Sequence, residues 1–158
     1  MAPNTKPMPP CPYCGADVRF HSSSAFVYRG TDYGPVYACS RFPTCDAIVG
    51  VHKGTTEPLG RLANRSLRDW KKRAHAAFDP IWQMAPGSPK RKTRNSAYGW
   101  LSVQLGIPGE TCHIGMFDEE TCQRVVALCK PILKRIAAGA AWESLGVSGA
   151  DPSKAQVQ

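Results

Sequence analysis

Seven cysteines are the residues best suited to chemistry in this chain, and their spacing sorts them into two groups. Cys11-Pro-Tyr-Cys14 and Cys39-Ser-Arg-Phe-Pro-Thr-Cys45 form two close pairs, C-x2-C and C-x5-C, with 24 residues between them. A C-x2-C turn presents two thiolates to one ion, and Gly15 directly after it suits a tight knuckle. A second pair carried across a small sheet completes the four soft donors that zinc takes at tetrahedral corners. The spacing therefore predicts one Zn2+ held by Cys11, Cys14, Cys39 and Cys45. With all four positions filled by protein, the metal is expected to be structural, not a Lewis acid. A segment this short buries too little core to fold alone, so metal binding would contribute folding energy. An odd number of cysteines rules out a fully paired disulfide framework. A redox Cys-x-x-Cys would need a thioredoxin-like βαβ pattern, which is absent.

The other reactive side chains are scattered. Cys122 and Cys129 stand seven apart on one helical stripe, which reads as small buried hydrophobes. His52, His75, Cys112 and His113 are candidates for a second metal or catalytic cluster, and His21 is expected at an exposed turn. Their long separations enforce no shared geometry, and the neighbours Cys112 and His113 point different ways. The expectation is structural histidines and no enzymatic activity. Asp118-Glu119-Glu120 reads as helix-start chemistry, not a cation site.

Short strands are expected to hold the cysteine pairs, near Val18–Phe20, Phe26–Arg29, Pro35–Ala38 and Ala47–Val51, with Gly30 and Gly34 marking a turn. From Asn64, a plausible N-cap, the pattern becomes helical. Leu67, Trp70, Lys71, Ala74, His75 and Phe78 share one face, and Asp79-Pro80 is expected to end or kink the helix. Residues 85–92 read as a flexible basic linker. A second helix is expected from about Asn95 to Leu105, with Ala97, Trp100, Leu101 and Leu105 inward and Gly106 as its C-cap. After a loop to Phe117, a third helix starts at the N-cap Asp118 and carries Cys122, Val125, Val126, Cys129 and Leu133 inward. Pro131 is expected to kink or split it.

Charge is unevenly spread. The chain of 158 residues carries 20 basic and 12 acidic side chains, a net +8. Arg61, Arg65, Arg68, Lys71, Lys72, Arg73, Lys90, Arg91, Lys92 and Arg94 face only Asp69 and Asp79 in their own stretch, so the whole net charge lies there. A concentrated basic segment suits a polyanion, most simply nucleic acid. A helix-turn-helix reader is not expected. The loop before the third helix is too long for one, and that helix opens with three acids that would meet phosphate. Mean hydropathy is −0.31, and no apolar run approaches the ~18–20 residues of a membrane span. The first ten residues, rich in proline, lack the apolar stretch of a signal peptide. A cytoplasmic protein is expected.

Two resemblances add to this. Cys11-Pro-Tyr-Cys14-Gly15, Tyr33-Gly34 and Cys39-Ser-Arg-Phe-Pro-Thr-Cys45 resemble the C-terminal zinc ribbons of bacterial type I DNA topoisomerases. That resemblance implies single-stranded DNA binding through exposed aromatic and basic side chains. The matching positions are Tyr13, Arg19, Phe20, Phe26, Tyr28, Arg29, Tyr33, Tyr37, Arg41 and Phe42. Strand alternation would turn about half of these rings inward, leaving three or four exposed. The wider stretch from Cys11 to about Arg135 resembles a family of small zinc-finger-containing proteins of bacteriophages and prophages. Four strings carry that likeness: Cys-Asp-Ala-Ile-Val-Gly-Val-His-Lys-Gly-Thr (45–55), Pro-Leu-Gly-Arg-Leu-Ala (58–63), Ala-His-Ala-Ala-Phe-Asp (74–79) and Cys-His-Ile-Gly-Met-Phe-Asp-Glu-Glu-Thr-Cys (112–122). It implies a phage-type protein of the bacterial host cytoplasm and no particular activity.

The expected architecture is α+β. A disordered tail (1–10) precedes a four-cysteine zinc ribbon on a small antiparallel sheet (11–54). A basic helical arm and linker (55–92), a small helical module (93–146) and a second disordered tail (147–158) follow. The expected function is a non-enzymatic accessory protein that binds nucleic acid, single-stranded DNA above all, with little sequence preference. Tyr13, Arg19, Tyr28, Arg29, Arg41 and Phe42 would act from the ribbon. Arg61, Arg65, Arg68, Lys71, Lys72, Arg73, Lys90, Arg91, Lys92 and Arg94 would grip phosphates. The competing expectation is a protein-interaction module that docks on a host enzyme of transcription, replication or defence, with Trp82 and Trp100 as anchors.

Overall fold

The computed structural model describes residues 5–86 and 90–147. The chain divides into two compact units, Met1–Arg68 and Asp69–Gln158, so the division falls inside the stretch expected as one basic arm.

The first unit is built on a three-stranded antiparallel sheet in the order β1-β2-β3: β1 (Val18–His21), β2 (Val36–Cys39) and β3 (Ile48–Gly50). The register pairs Phe20 with Tyr37 and Tyr37 with Val49, while Val18 pairs with Cys39. Side chains alternate along a strand, so this register puts Val18, Phe20, Tyr37, Cys39 and Val49 on one face. That face forms a small core with Cys11, Ala47 and Leu62. Tyr37 is its centre: the Phe20 ring meets it edge-on at 5.3 Å. Its hydroxyl donates to the Thr56 carbonyl at 2.6 Å and accepts from the Lys6 backbone N–H at 3.3 Å. A buried phenol needs such partners. Within the expected disordered tail (1–10), Met8 packs on the same core and Lys6 pairs with Glu57 at 3.0 Å, while residues 1–4 lie outside the described residues.

Phe26–Arg29 is not a strand. It lies in a turn, with the Tyr28 N–H donating to the Ser24 carbonyl and the Gly30 N–H to the Ala25 carbonyl. Asp32 organises this loop: its Oδ1 accepts from the backbone N–H groups of Ser24 (3.1 Å) and Gly34 (2.8 Å). The Ser24 hydroxyl, fully buried, accepts from the Tyr33 N–H. These local bonds offer the backbone an alternative to a ladder, so aromatic β-propensity loses.

Helix α1 (Arg65–Gln83) starts at Asn64, whose side chain accepts from the Leu67 N–H at 2.9 Å. Leu67, Ala74, Ala77, Phe78 and Ile81 are buried along it. Pro80 does not end it. The helix runs on to Gln83, anchored by fully buried Ile81 and by the indole N–H of Trp82 donating to Asp79 at 3.1 Å.

The second unit is helical. Helix α2 (Lys90–Leu105) begins five residues before the expected Asn95, so Lys90, Arg91 and Lys92 are helical residues and not linker, and Arg94 lies within the same helix. Residues 87–89 of the expected linker lie outside the described residues. Lys90 donates to the Ala85 carbonyl, and the Thr93 hydroxyl bonds the Trp82 carbonyl, tying α2 to the end of α1. Gly106 closes α2 at φ 67°, a left-handed cap that glycine adopts at no steric cost. Two short 3-10 turns, Gly109–Thr111 and Ile114–Met116, order the loop that follows. Helix α3 (Glu119–Ala137) is capped by Asp118, which accepts from the Thr121 N–H at 2.8 Å. It passes Pro131 as one helix, with Cys129 and Ile132 buried on either side of the proline. Cys122, Val125, Cys129 and Ile132 of α3 are buried in this unit, as are Tyr98, Leu101 and Leu105 of α2. A last turn, Trp142–Leu145, ends at buried Val147, a residue expected in the tail. Residues 148–158 of that tail lie outside the described residues.

Candidate metal centre

Two backbone knuckles build the site. In the first, the Cys11 N–H donates to the Ala16 carbonyl and the Gly15 N–H to the Cys11 carbonyl, both at 2.8 Å. Gly15 sits at φ 73°, which closes this turn. In the second, Cys39 ends β2, and its N–H donates to the Ala47 carbonyl at 3.0 Å. The chain then loops through Phe42-Pro43, with the Phe42 N–H on the Cys39 carbonyl and the Cys45 N–H on the Arg41 carbonyl. The wider C-x5-C loop thus still returns its second thiol to the first. Sγ of Cys11 lies 3.6 Å from Sγ of Cys45, and Sγ of Cys14 lies 3.4 Å from Sγ of Cys39. All four sulfurs fall within 4.8 Å of one another. A tetrahedron with Zn–S bonds of about 2.3 Å has edges of about 3.8 Å. Donor set and spacing both fit one structural zinc with no position left for water.

The surroundings treat the four thiols differently. The Ala16 backbone N–H draws the Cys14 thiol down to about 7, and Cys39 adds to this. Burial pushes Cys39 up to about 12 and also raises Cys45. A dication offsets the desolvation of such thiolates. The Arg41 N–H points at the Cys39 sulfur at 3.5 Å and would stabilise its charge further.

Of the seven ribbon rings, Tyr13, Phe26, Tyr28 and Tyr33 are exposed, Tyr33 most of all at 75%. Phe26 contacts His21 (4.5 Å) and Phe42 (5.2 Å), and Tyr28 meets Tyr33 edge-on at 4.9 Å. Tyr37 is core, and Phe20 and Phe42 are partly covered. Arg19, Arg29 and Arg41 are exposed. On the basic helices, Arg65, Lys72, Arg73, Lys90, Arg91 and Lys92 are exposed, with Arg73 over the Trp70 ring at 4.8 Å. Arg61 is half-buried. Three of the expected phosphate ligands hold backbone carbonyls, Lys90 that of Ala85 among them. Arg68 donates to the carbonyls of Asp46 and Ala63 and pairs with the Asp46 carboxylate at 3.5 Å. Lys71 donates to the Gly115 carbonyl at 2.8 Å.

The cluster of His52, His75, Cys112 and His113 does not form a metal centre: among the described residues, only the four ribbon cysteines converge as a donor set. His52 is exposed, and His75 pairs with Asp79 at 3.2 Å. Cys112 is fully buried, and burial pushes its thiol up to about 12, the opposite of an activated nucleophile. Burial likewise raises Cys122 to about 11 and Cys129 to about 12. Asp32 and Ser24, which shape the aromatic loop, were not singled out by sequence. An Asp followed two residues later by Gly is the Asx-turn signal that points to them.

No helix of the described residues is long and apolar enough to cross a membrane. No curated protein and no solved structure matches the chain. Residues 8–132, from the edge of the metal knuckle into α3, match the family described as a zinc-finger-containing domain, and the chain belongs to that family.

Proposed function

We propose that this protein is a phage-type, non-enzymatic accessory protein of the host cytoplasm that binds nucleic acid, chiefly through backbone and single-strand contacts. The observation that carries the reading is the helical placement of its charge. Helix α2 holds Lys90, Arg91, Lys92 and Arg94 and not one acidic residue, and α1 adds exposed Arg65, Lys72 and Arg73. Cations crowded at the start of α2 oppose its macrodipole. A bound polyanion relieves both the mutual repulsion and that mismatch. The zinc ribbon contributes a platform with four exposed rings, on which bases stack at ~1–3 kcal/mol each. Zinc coordination filled by four thiolates and an inert, buried Cys112 support the absence of catalysis.

The test is fluorescence anisotropy of the zinc-loaded protein with labelled single-stranded DNA, duplex DNA and RNA across a salt titration. Micromolar or tighter binding near physiological salt is expected, strongest for single strands. Replacing Lys90, Arg91, Lys92 and Arg94 together by Ala should flatten the log–log salt slope by about 3, at roughly 0.7 per lost single-strand phosphate contact. An unchanged slope removes the α2 cations from the reading. Absence of binding to all three nucleic acids rejects it in favour of a protein partner, captured from host lysate after nuclease treatment.

A further inference from the structure

The second unit gathers chemistry around one buried ring that neither the zinc site nor the charge run explains. Tyr98 of α2 is 3% exposed and meets residues of α1, of its own helix and of the loop before α3. Phe78 of α1 packs on it at 4.6 Å, the His113 ring from the loop before α3 lies at 5.7 Å, and the Arg94 guanidinium stacks over it at 4.8 Å. Arg94 and His113 therefore share a platform although they are 19 positions apart in sequence. Stacking fixes the plane of a guanidinium while leaving its N–H fork free. Among the described residues, neither the Arg94 fork nor the His113 ring has a hydrogen-bond or ion-pair partner. The nearby carboxylate, Asp79, is spent on His75 (3.2 Å) and on the Trp82 indole (3.1 Å). Burial and the Arg94 charge hold the His113 pKa below its usual value, and the buried Cys112 and Tyr98 hydrogens are held by desolvation. Arg91 lies three residues before Arg94, on the same side of α2, whereas Lys90 one turn earlier is held by the Ala85 carbonyl.

We infer that Arg94 and His113, set around the Tyr98 ring, form a receptor for a phosphate group. A planar fork, an imidazole and the flanking Arg91 cation match the oxygens and charge of a phosphate better than a carboxylate. The proposal rests on the nucleic-acid reading only for the source of the phosphate, a backbone phosphodiester. It assigns His113 and the fork of Arg94 a recognition role that a diffuse cation cloud would not have. A bound phosphate stabilises the imidazolium, so it raises the His113 pKa.

The experiment follows the His113 ring by NMR in zinc-loaded, full-length protein labelled with 13C-histidine. The probes are inorganic phosphate and a short oligothymidylate, each over a pH series. Both probes should shift the His113 signals and raise its pKa, while His52 stays still with inorganic phosphate. Arg94→Gln should abolish the phosphate response and weaken oligothymidylate binding about tenfold, against about twofold for Lys92→Gln. Arg94→Lys, which keeps the charge and loses the fork, should restore only part of the loss. Circular dichroism confirms that each variant remains helical. A His113 ring unmoved by either probe, while anisotropy shows the oligonucleotide bound, overturns the receptor and leaves the nucleic-acid reading standing. A response that persists in Arg94→Gln also overturns it. A His113 response to inorganic phosphate without any oligonucleotide binding keeps the receptor and rejects the nucleic-acid reading.

Discussion

The two units use the same residue in opposite ways. In the first, four cysteines stand on turns and a strand end, Cys11 and Cys39 within and Cys14 and Cys45 against a small core centred on Tyr37, Val49 and Leu62. In the second, Cys112, Cys122 and Cys129 are fully buried, and among the described residues they belong to no donor set. A thiol becomes a ligand when the backbone converges several of them and supplies N–H groups to their charge. Deep in apolar packing it stays protonated and acts as a small hydrophobe. The first unit is therefore expected to depend on an ion for stability. The second has what a helical core ordinarily needs: Phe78, Ile81, Leu101, Ile114 and Val125, all essentially inaccessible.

Removing the metal should break that comparison most sharply. Structural zinc is worth about 10–16 kcal/mol of apparent binding free energy in small finger peptides. A strong chelator should abolish the dispersed amide signals of residues 11–63 while those of α2 and α3 persist. Thiol titration gives the same answer chemically. We expect no fast-reacting thiol with zinc bound, four after chelation and all seven in denaturant. Simultaneous loss of α2 and α3 would show that the two units are energetically one.

The converse perturbation is Phe78→Ala. It empties a fully buried position beside Tyr98 and should cost about 3–5 kcal/mol by chemical denaturation. Zinc stoichiometry, measured by a chromogenic chelator, should remain one per chain. A smaller effect, about 1 kcal/mol, is expected for Asn64→Ala, which removes the cap on the Leu67 N–H at the start of α1. Thermal unfolding would record it as a shift of a few degrees, with the metal again retained.

The parts legible in sequence are those fixed by neighbours a few residues apart. The C-x2-C knuckle, the caps at Asn64 and Asp118 and the left-handed Gly106 are local geometries with local residue requirements. Phe26–Arg29 misled because β-propensity is outweighed by the Asp32 and Ser24 bonds that wrap the loop. Lys90–Arg94 misled because a basic run reads as solvated chain. Its helix is held by Ala97, Tyr98 and Leu101 further along and by bonds back to α1. A helix end at Pro80 and a split at Pro131 do not occur, because each local penalty is offset by apolar side chains buried beside it, Ile81 in α1 and Ile132 in α3.

The sequence by itself determined the metal, because zinc asks only for four thiolates on two short turns and the spacing supplies them. It also determined the excess of positive charge and the confinement of that excess to residues 61–94. Only the tertiary structure decided which cations are free. Arg68 and Lys71 are taken by backbone carbonyls that come from distant positions, Asp46 and Gly115, and Lys90 is taken by the carbonyl of Ala85. Only it brought Arg94 and His113 to the same tyrosine, since that meeting depends on a helix, a loop and a buried ring packing together. Such packing is set by the sum of many apolar contacts, which no short stretch of sequence encodes.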